Sequence, residues 1–176
     1  MEIIETLTPG ATKDLPDLFR FGVQIQMPKS FEQLEYYGRG PFENYADRKA
    51  ASFLGRWRQT VSEQYYPYIR PQETGTRTDI RWLRITDALG RGLEVTAEEP
   101  FSASALHYLV ETLDEGDFKR NRHAELIRED DVTNLLLDYR QAGLGCVNSW
   151  GALPLPEHRL PYGPYRFHFI LQPVVK

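Results

Sequence analysis

The sequence predicts an all-β fold, an antiparallel β-sandwich, on three observations. Residues 19–27 and 165–172 alternate apolar with polar side chains, turn signals separate several further strand-like runs, and only one short stretch has helical character. Successive side chains of a strand point to opposite faces, so a period of two marks a half-buried strand. Many such strands between glycine- and proline-bearing turns place the chain among the sandwiches.

Met1 to Leu7 opens in strand-like sequence, either as the start of a short protein or as the edge of something longer. Phe19, Phe21, Val23, Ile25 and Met27 then alternate with Arg20, Gly22, Gln24 and Gln26. Leu34 to Tyr37 and Phe53 to Val61 are further strand candidates. Asp79 to Thr86 and Gly92 to Ala97 flank Asp87-Ala88-Leu89-Gly90-Arg91, a hairpin connection with glycine where positive φ is cheap. Ser102 to Val110 and Val132 to Tyr139 follow as strands. Glu111 to Phe118 is the one short helix, with Gly116 badly placed inside it. Leu153 to Pro161 is too rich in proline for anything but an extended surface loop. Tyr165, Phe167, Phe169 and Leu171 form the last alternating strand. No repeat or linker divides the chain, so residues 1–176 read as one domain or part of a larger one.

Composition narrows the classes. With 41% hydrophobic and 12% aromatic residues the chain can bury a substantial core, which excludes disorder. The 21 basic and 25 acidic residues leave a net charge of −4, against nucleic-acid binding through a basic surplus. A single cysteine, Cys146, excludes an internal disulfide and a cysteine-rich zinc site. Met1 to Gly10 lacks the pattern of a signal peptide, and no apolar run approaches the roughly 20 residues that cross a bilayer. A soluble protein with no membrane partner is expected, and cytoplasm and periplasm both fit.

Glu98-Glu99 and Asp130-Asp131 are the obvious carboxylate pairs. A retaining glycosidase holds two carboxyl groups about 5 Å apart around the scissile bond. Neighbours on an extended chain point to opposite faces, so both pairs read as turn or surface charges. The histidines His107, His123, His158 and His168 have no metal-ligand spacing, and no metal site is predicted. Lys119 to His123 is a short basic run among acids and reads as a solvated turn.

Two glycine-bearing segments stand apart. Gly38-Arg39-Gly40-Pro41-Phe42-Glu43-Asn44-Tyr45-Ala46-Asp47-Arg48 lacks the third glycine of a dinucleotide fingerprint and reads as a rigid corner. In it Asn44 can satisfy loop backbone, while Asp47 and Arg48 can fix neighbouring segments by charge-assisted hydrogen bonds. Gly143 to Gly151 carries Trp150 among small and polar residues, on a loop, where functional residues concentrate. An indole there serves either the core or a sugar ring, whose C–H face suits a π cloud. Trp57 and Trp82, in strand-like sequence, are read as core.

These segments resemble the carboxy-terminal domain of the large β-galactosidases of glycoside hydrolase family two. Tyr37 to Arg48 is similar to that family's G-x-G-P-x-E-N-Y-x-D-R signature, and Tyr66 to Gly75 resembles its Y-x-x-P-Q/S-E-N-G segment, with Thr74 in place of asparagine. Gly145 to Trp150 and Arg159-Leu160-Pro161 resemble its G-G-D-N/D-S-W tract and the loop beyond, with Cys146 replacing a glycine and Val147 an acid. The likeness runs from about Leu15 to the end through several motifs in order.

The resemblance implies a galactose-mutarotase-like supersandwich, incomplete here, and an enzyme whose acid/base and nucleophile glutamates lie on a separate TIM barrel. No residue of this chain is expected to be catalytic. Trp150 matches the family's aromatic platform for sugar or aglycone, with Asn148 and Ser149 supporting its loop. Gly38, Gly40, Pro41, Glu43, Asn44, Tyr45, Asp47 and Arg48 form the structural corner. Magnesium and sodium, where complete relatives use them, belong to other domains, so no cofactor is expected in this chain. Implied partners are galactosides such as lactose and the catalytic barrel, and homo-oligomer formation is compatible. Two alternatives stay open: a free-standing carbohydrate-binding or mutarotase-like protein, with His107, His168, Glu43 and Asp47 as loose acid/base candidates, and a domain serving subunit contacts alone.

Overall fold

Each alternating stretch of the sequence forms a strand, and every strand pairing is antiparallel. The computed structural model describes residues 1–12, 15–114, 116, 122–145, 148 and 151–175. The strands are β1 (Glu2–Leu7), β2 (Arg20–Pro28), β3 (Gln33–Gly40), β4 (Phe53–Thr60), β5 (Arg77–Thr86), β6 (Gly92–Leu106), β7 (Val132–Gln141) and β8 (Tyr165–Val174). They join in one 8-stranded sheet, ordered β1-β8-β6-β5-β3-β4, with β2 on β7 and β7 on β6. A single turn of helix, α1 (Val110–Leu113), and short 3₁₀ turns complete the described elements.

The sheet forks along β6, which runs for 15 residues. Its first part, Gly92 to Ala97, pairs with β8, and its last, Ser102 to Leu106, pairs with β7. Pro100 sits between the two ladders, where its missing N–H costs no hydrogen bond on that edge. The opposite edge of β6 pairs with β5. The fork folds the sheet into a sandwich, because residues of both branches and of β3 and β5 share one core. That core includes Phe21, Tyr36, Leu83, Ile85, Val95, Leu135, Leu137, Phe167 and Phe169. Each large side chain so buried contributes about 1.5–3 kcal/mol.

The hairpin between β5 and β6 forms as its residues predict. Asp87 Oδ1 accepts the N–H groups of Leu89 (2.8 Å) and Arg91 (3.0 Å), and Gly90 takes a φ of 77°. Several details differ from the sequence expectation. Gly92–Ala97 and Ser102–Leu106 belong to one strand, so Glu98 and Glu99 lie within β6 rather than in a turn. They are surface charges none the less: Glu98 meets Arg166 and His168, while Glu99 meets Tyr139 and Arg140. β6 ends at Leu106, short of Val110, and Asp130 accepts the Leu109 N–H and Thr112 hydroxyl where α1 begins. The helix stops at Leu113, short of Gly116, whose φ is 74°.

Trp82 corrects a core assignment. Register irregularities on either side of Ile80 shift the alternation of β5, so Ile80, Leu83 and Ile85 face inward. A β-bulge has this effect because it adds one residue to one strand. Trp82 is left half-buried outside the core, with the Arg56 guanidinium 5.7 Å from its ring centroid. Trp57 packs against the core and donates its indole N–H to Gly38 O at 3.2 Å. No described helix is long and apolar enough to cross a membrane.

Candidate functional site

The end of β3 and the turn after it carry the segment from Gly38 to Arg48. Gly38 and Gly40 end the strand where a side chain would strike Ile80 and Trp57 respectively, and the Gly40–Pro41 peptide is cis. Asn44 is fully buried, and every polar group of its amide is matched. Its Nδ2 donates to Arg39 O (3.2 Å) and Phe42 O (3.0 Å), and its Oδ1 accepts Thr78 N–H (3.0 Å) and the Thr78 hydroxyl (2.6 Å). Tyr45, also buried, pairs with Arg48 in a backbone bridge, and the Arg48 guanidinium lies 5.1 Å from the Tyr45 ring centroid.

Glu43 ties the corner to the segment before β5. Its carboxylate accepts the Gly75 N–H at 2.8 Å and also meets Arg48 and the Tyr68 hydroxyl. Burial alone would raise this carboxyl. The Gly75, Tyr68 and Arg48 donors outweigh burial and hold it below the usual range. Thr74 keeps the turn satisfied. Its Oγ1 lies 3.2 Å from Glu43 and accepts the Tyr66 N–H at 3.2 Å. Arg77 is buried beneath, donating to Gly75 O and Pro41 O at 2.7 and 3.0 Å.

Asp47 reaches furthest. Its carboxylate accepts the backbone N–H groups of Leu144 (3.1 Å) and Gly145, at the root of the loop that follows β7. Gly143 N–H donates to His158 O at 2.7 Å, so the outgoing and returning limbs of that loop are joined. Asn148 Oδ1 lies 3.4 Å from Ala152 N. Ser149 and Trp150 lie outside the described residues, as do Cys146, Val147 and the run 119–121.

Beside the loop root, a cleft of ≈ 330 Å³ opens on the β6–β7 face turned away from the main core. Leu106, Tyr108, Leu136 and Leu144 supply apolar walls, and Arg20 and Glu73 stand in its lining. Arg20 lies 3.3 Å from Glu73 and 3.0 Å from Asp138. Burial pushes the Asp138 carboxyl up to about 7, although Arg20 opposes the rise and Glu73 adds to it. The sequence reading missed this cluster. Its signal was an acid set directly after Leu135-Leu136-Leu137 in a strand.

The loose acid/base candidates do not converge on shared partners. His107 sits between Glu32 (2.5 Å) and Val132 O (3.1 Å), and His168 between Glu98 and Glu2. Glu43 and Asp47 hold the corner and the loop root. Among the described residues, no three or more His, Cys, Asp or Glu side chains gather as a metal site.

Comparison with known proteins places the chain in one family. The family profile described as "Beta galactosidase small chain" matches residues 2–171. A beta-galactosidase of Priestia megaterium is 36% identical over 160 residues, which is 91% of this chain and 15% of that protein. Beta-galactosidase BgaC of Bifidobacterium adolescentis is 37% identical over 155 residues, 84% of this chain and 14% of that protein. A beta-galactosidase of Lactobacillus delbrueckii subsp. bulgaricus is 33% identical over 171 residues, 95% of this chain and 16% of that protein. The chain thus spans about 15% of the length of the curated relatives it matches.

Proposed function

Because the chain belongs to the β-galactosidase small-chain family, we propose that it completes the galactoside site of a retaining β-galactosidase and leaves bond cleavage to other parts of the enzyme. The observation that carries this reading is the proportion of the match: almost the whole chain aligns, to about 15% of each relative. In this reading the acid/base and nucleophile glutamates stand on a catalytic barrel outside the chain, and magnesium and sodium sites belong to other domains.

The chain's own contribution is the loop beyond β7. Trp150 would lay its indole against the sugar or aglycone of a galactoside such as lactose, and Asn148 and Ser149 would hold the loop around it. A platform away from the scissile bond helps by orienting the substrate, so that binding energy is used to align the reacting centre. The described carboxylates fit a non-catalytic role. Glu98 and Glu99 reach different strands, and Glu43 is engaged by backbone, hydroxyl and guanidinium donors.

In the complete enzyme, Trp150→Ala should weaken substrate and acceptor binding by about 1–3 kcal/mol, the range of aromatic stacking. Steady-state kinetics and the ratio of transglycosylation to hydrolysis measure it, and parent values for both would refute the platform. The chain by itself should not hydrolyse a chromogenic galactoside.

A further inference from the structure

The corner and the aromatic loop lie about a hundred residues apart in sequence, yet one side chain joins them. Asp47 accepts two consecutive backbone N–H groups, those of Leu144 and Gly145, with its two carboxylate oxygens. The carboxylate comes so close that residues 143 and 145 have no room for a side chain. A β-carbon at Gly143 would lie 2.6 Å from Asp47 Cγ, and one at Gly145 would lie 3.0 Å from it. Both glycines are therefore explained by approach of the Asp47 carboxylate rather than by backbone conformation, since neither has a positive φ. Asp47 is itself held in place: the Tyr45–Arg48 bridge closes the turn around it, and Tyr45 is anchored in the buried corner.

We infer that Asp47 is the positioning residue of the sugar-contacting loop: it clamps the loop's root at Leu144 and Gly145, where the chain leaves β7. This rests on the platform reading given above. In this role Asp47 needs no contact with substrate. It acts through the backbone, where two charge-assisted hydrogen bonds to adjacent amides fix both the position and the direction in which the chain leaves β7. Loss of the clamp frees the root at Leu144 and Gly145, so the substrate is oriented less often for reaction.

The experiment is a double-mutant cycle in the complete enzyme, combining Asp47→Ala and Gly145→Ala, with Trp150→Ala alongside. Hydrogen exchange at the Leu144 and Gly145 amides reads the clamp directly. Each single change should speed exchange at the loop root and raise KM by roughly five- to tenfold, the lower part of the range for losing the platform itself. The double variant should be no worse than Asp47→Ala, because the methyl of Gly145→Ala then has no carboxylate to strike. Asp47→Asn, which keeps one carbonyl oxygen, should fall between parent and Asp47→Ala. Merely structural damage predicts additive losses with the melting temperature instead.

Parent-like exchange and KM in Asp47→Ala, with a raised KM in Trp150→Ala, would overturn the positioning role and leave the platform standing. Parent kinetics in Trp150→Ala would remove the platform, and the positioning role with it, even if the amides exchange faster.

Discussion

The Arg20 guanidinium lies 3.0 Å from the carboxylate of Asp138, a side chain only 2% exposed, across the neighbouring strands β2 and β7. A buried carboxylate with a single cation beside it is poorly compensated, and Asp138 accordingly titrates at about 7. An unfolded aspartate ionises near 4. Between those values the folded chain keeps a proton that the unfolded chain has released. The stability from this group is therefore full below about pH 4 and is lost as the pH rises to about 7. Asp138→Asn has no such loss, so the variant should gain on the parent by on the order of 2 kcal/mol between pH 5 and pH 7. Urea unfolding at a series of pH values measures it; a pH-independent difference would contradict the raised pKa.

Glu43 carries the opposite sign. Its carboxyl is held below its ordinary value, so its stabilising contribution is present at neutral pH and is lost as the solution becomes acidic. Glu43→Gln should cost about 1–3 kcal/mol at pH 7, the range for hydrogen bonds to a charged group. Parent and variant should converge toward pH 3, and unfolding curves at both pH values test this.

Asn44 should be the most sensitive polar residue of the corner. Alanine there strands Thr78 N–H, Arg39 O and Phe42 O together inside the fold. A loss of about 2–3 kcal/mol is expected in chemical denaturation. Rescue by aspartate is not expected, because a carboxylate lacks the N–H groups that Arg39 and Phe42 require.

Phe167 and Phe19 separate core from surface. Phe167 is buried in the core, stacked at 4.7 Å on Phe169, whereas Phe19 is 89% exposed. Phe167→Ala should destabilise by about 3–5 kcal/mol, while Phe19→Ala should stay within about 0.5 kcal/mol. Thermal unfolding of the two variants would separate them at once.

Alternation made β2 and β8 readable, because their buried residues follow a period of two. It failed where the ladder is irregular. Phe19 shares the parity of Phe21 but precedes β2, and Trp82 lies beyond a register irregularity that resets the inward face of β5. The length of β6 was hidden for a related reason: Glu98-Glu99-Pro100 looks like a break, and only the change of partner strand shows why it is not.

The corner's backbone-pinning residue types were legible. What it holds was not, since Asp47 meets Leu144 and Gly145 across 97 and 98 positions, a separation that local spacing does not reveal. The Arg20–Asp138 pair was hidden in the same way. Both strands were readable, but which residues face each other depends on register, and β2 and β7 shift register between Phe21 and Gly22.

The fork in β6 has a consequence for how the sandwich comes apart. One strand serves as the shared spine of two branches, so neither β8 with β1 nor β7 with β2 can detach without stripping hydrogen bonds from the same backbone. Loss of one branch also uncovers aromatic and aliphatic surface that the other branch shields. Partial opening is therefore nearly as costly as complete melting. The sheet should give way in a single cooperative step, and its most slowly exchanging amides should lie along β6.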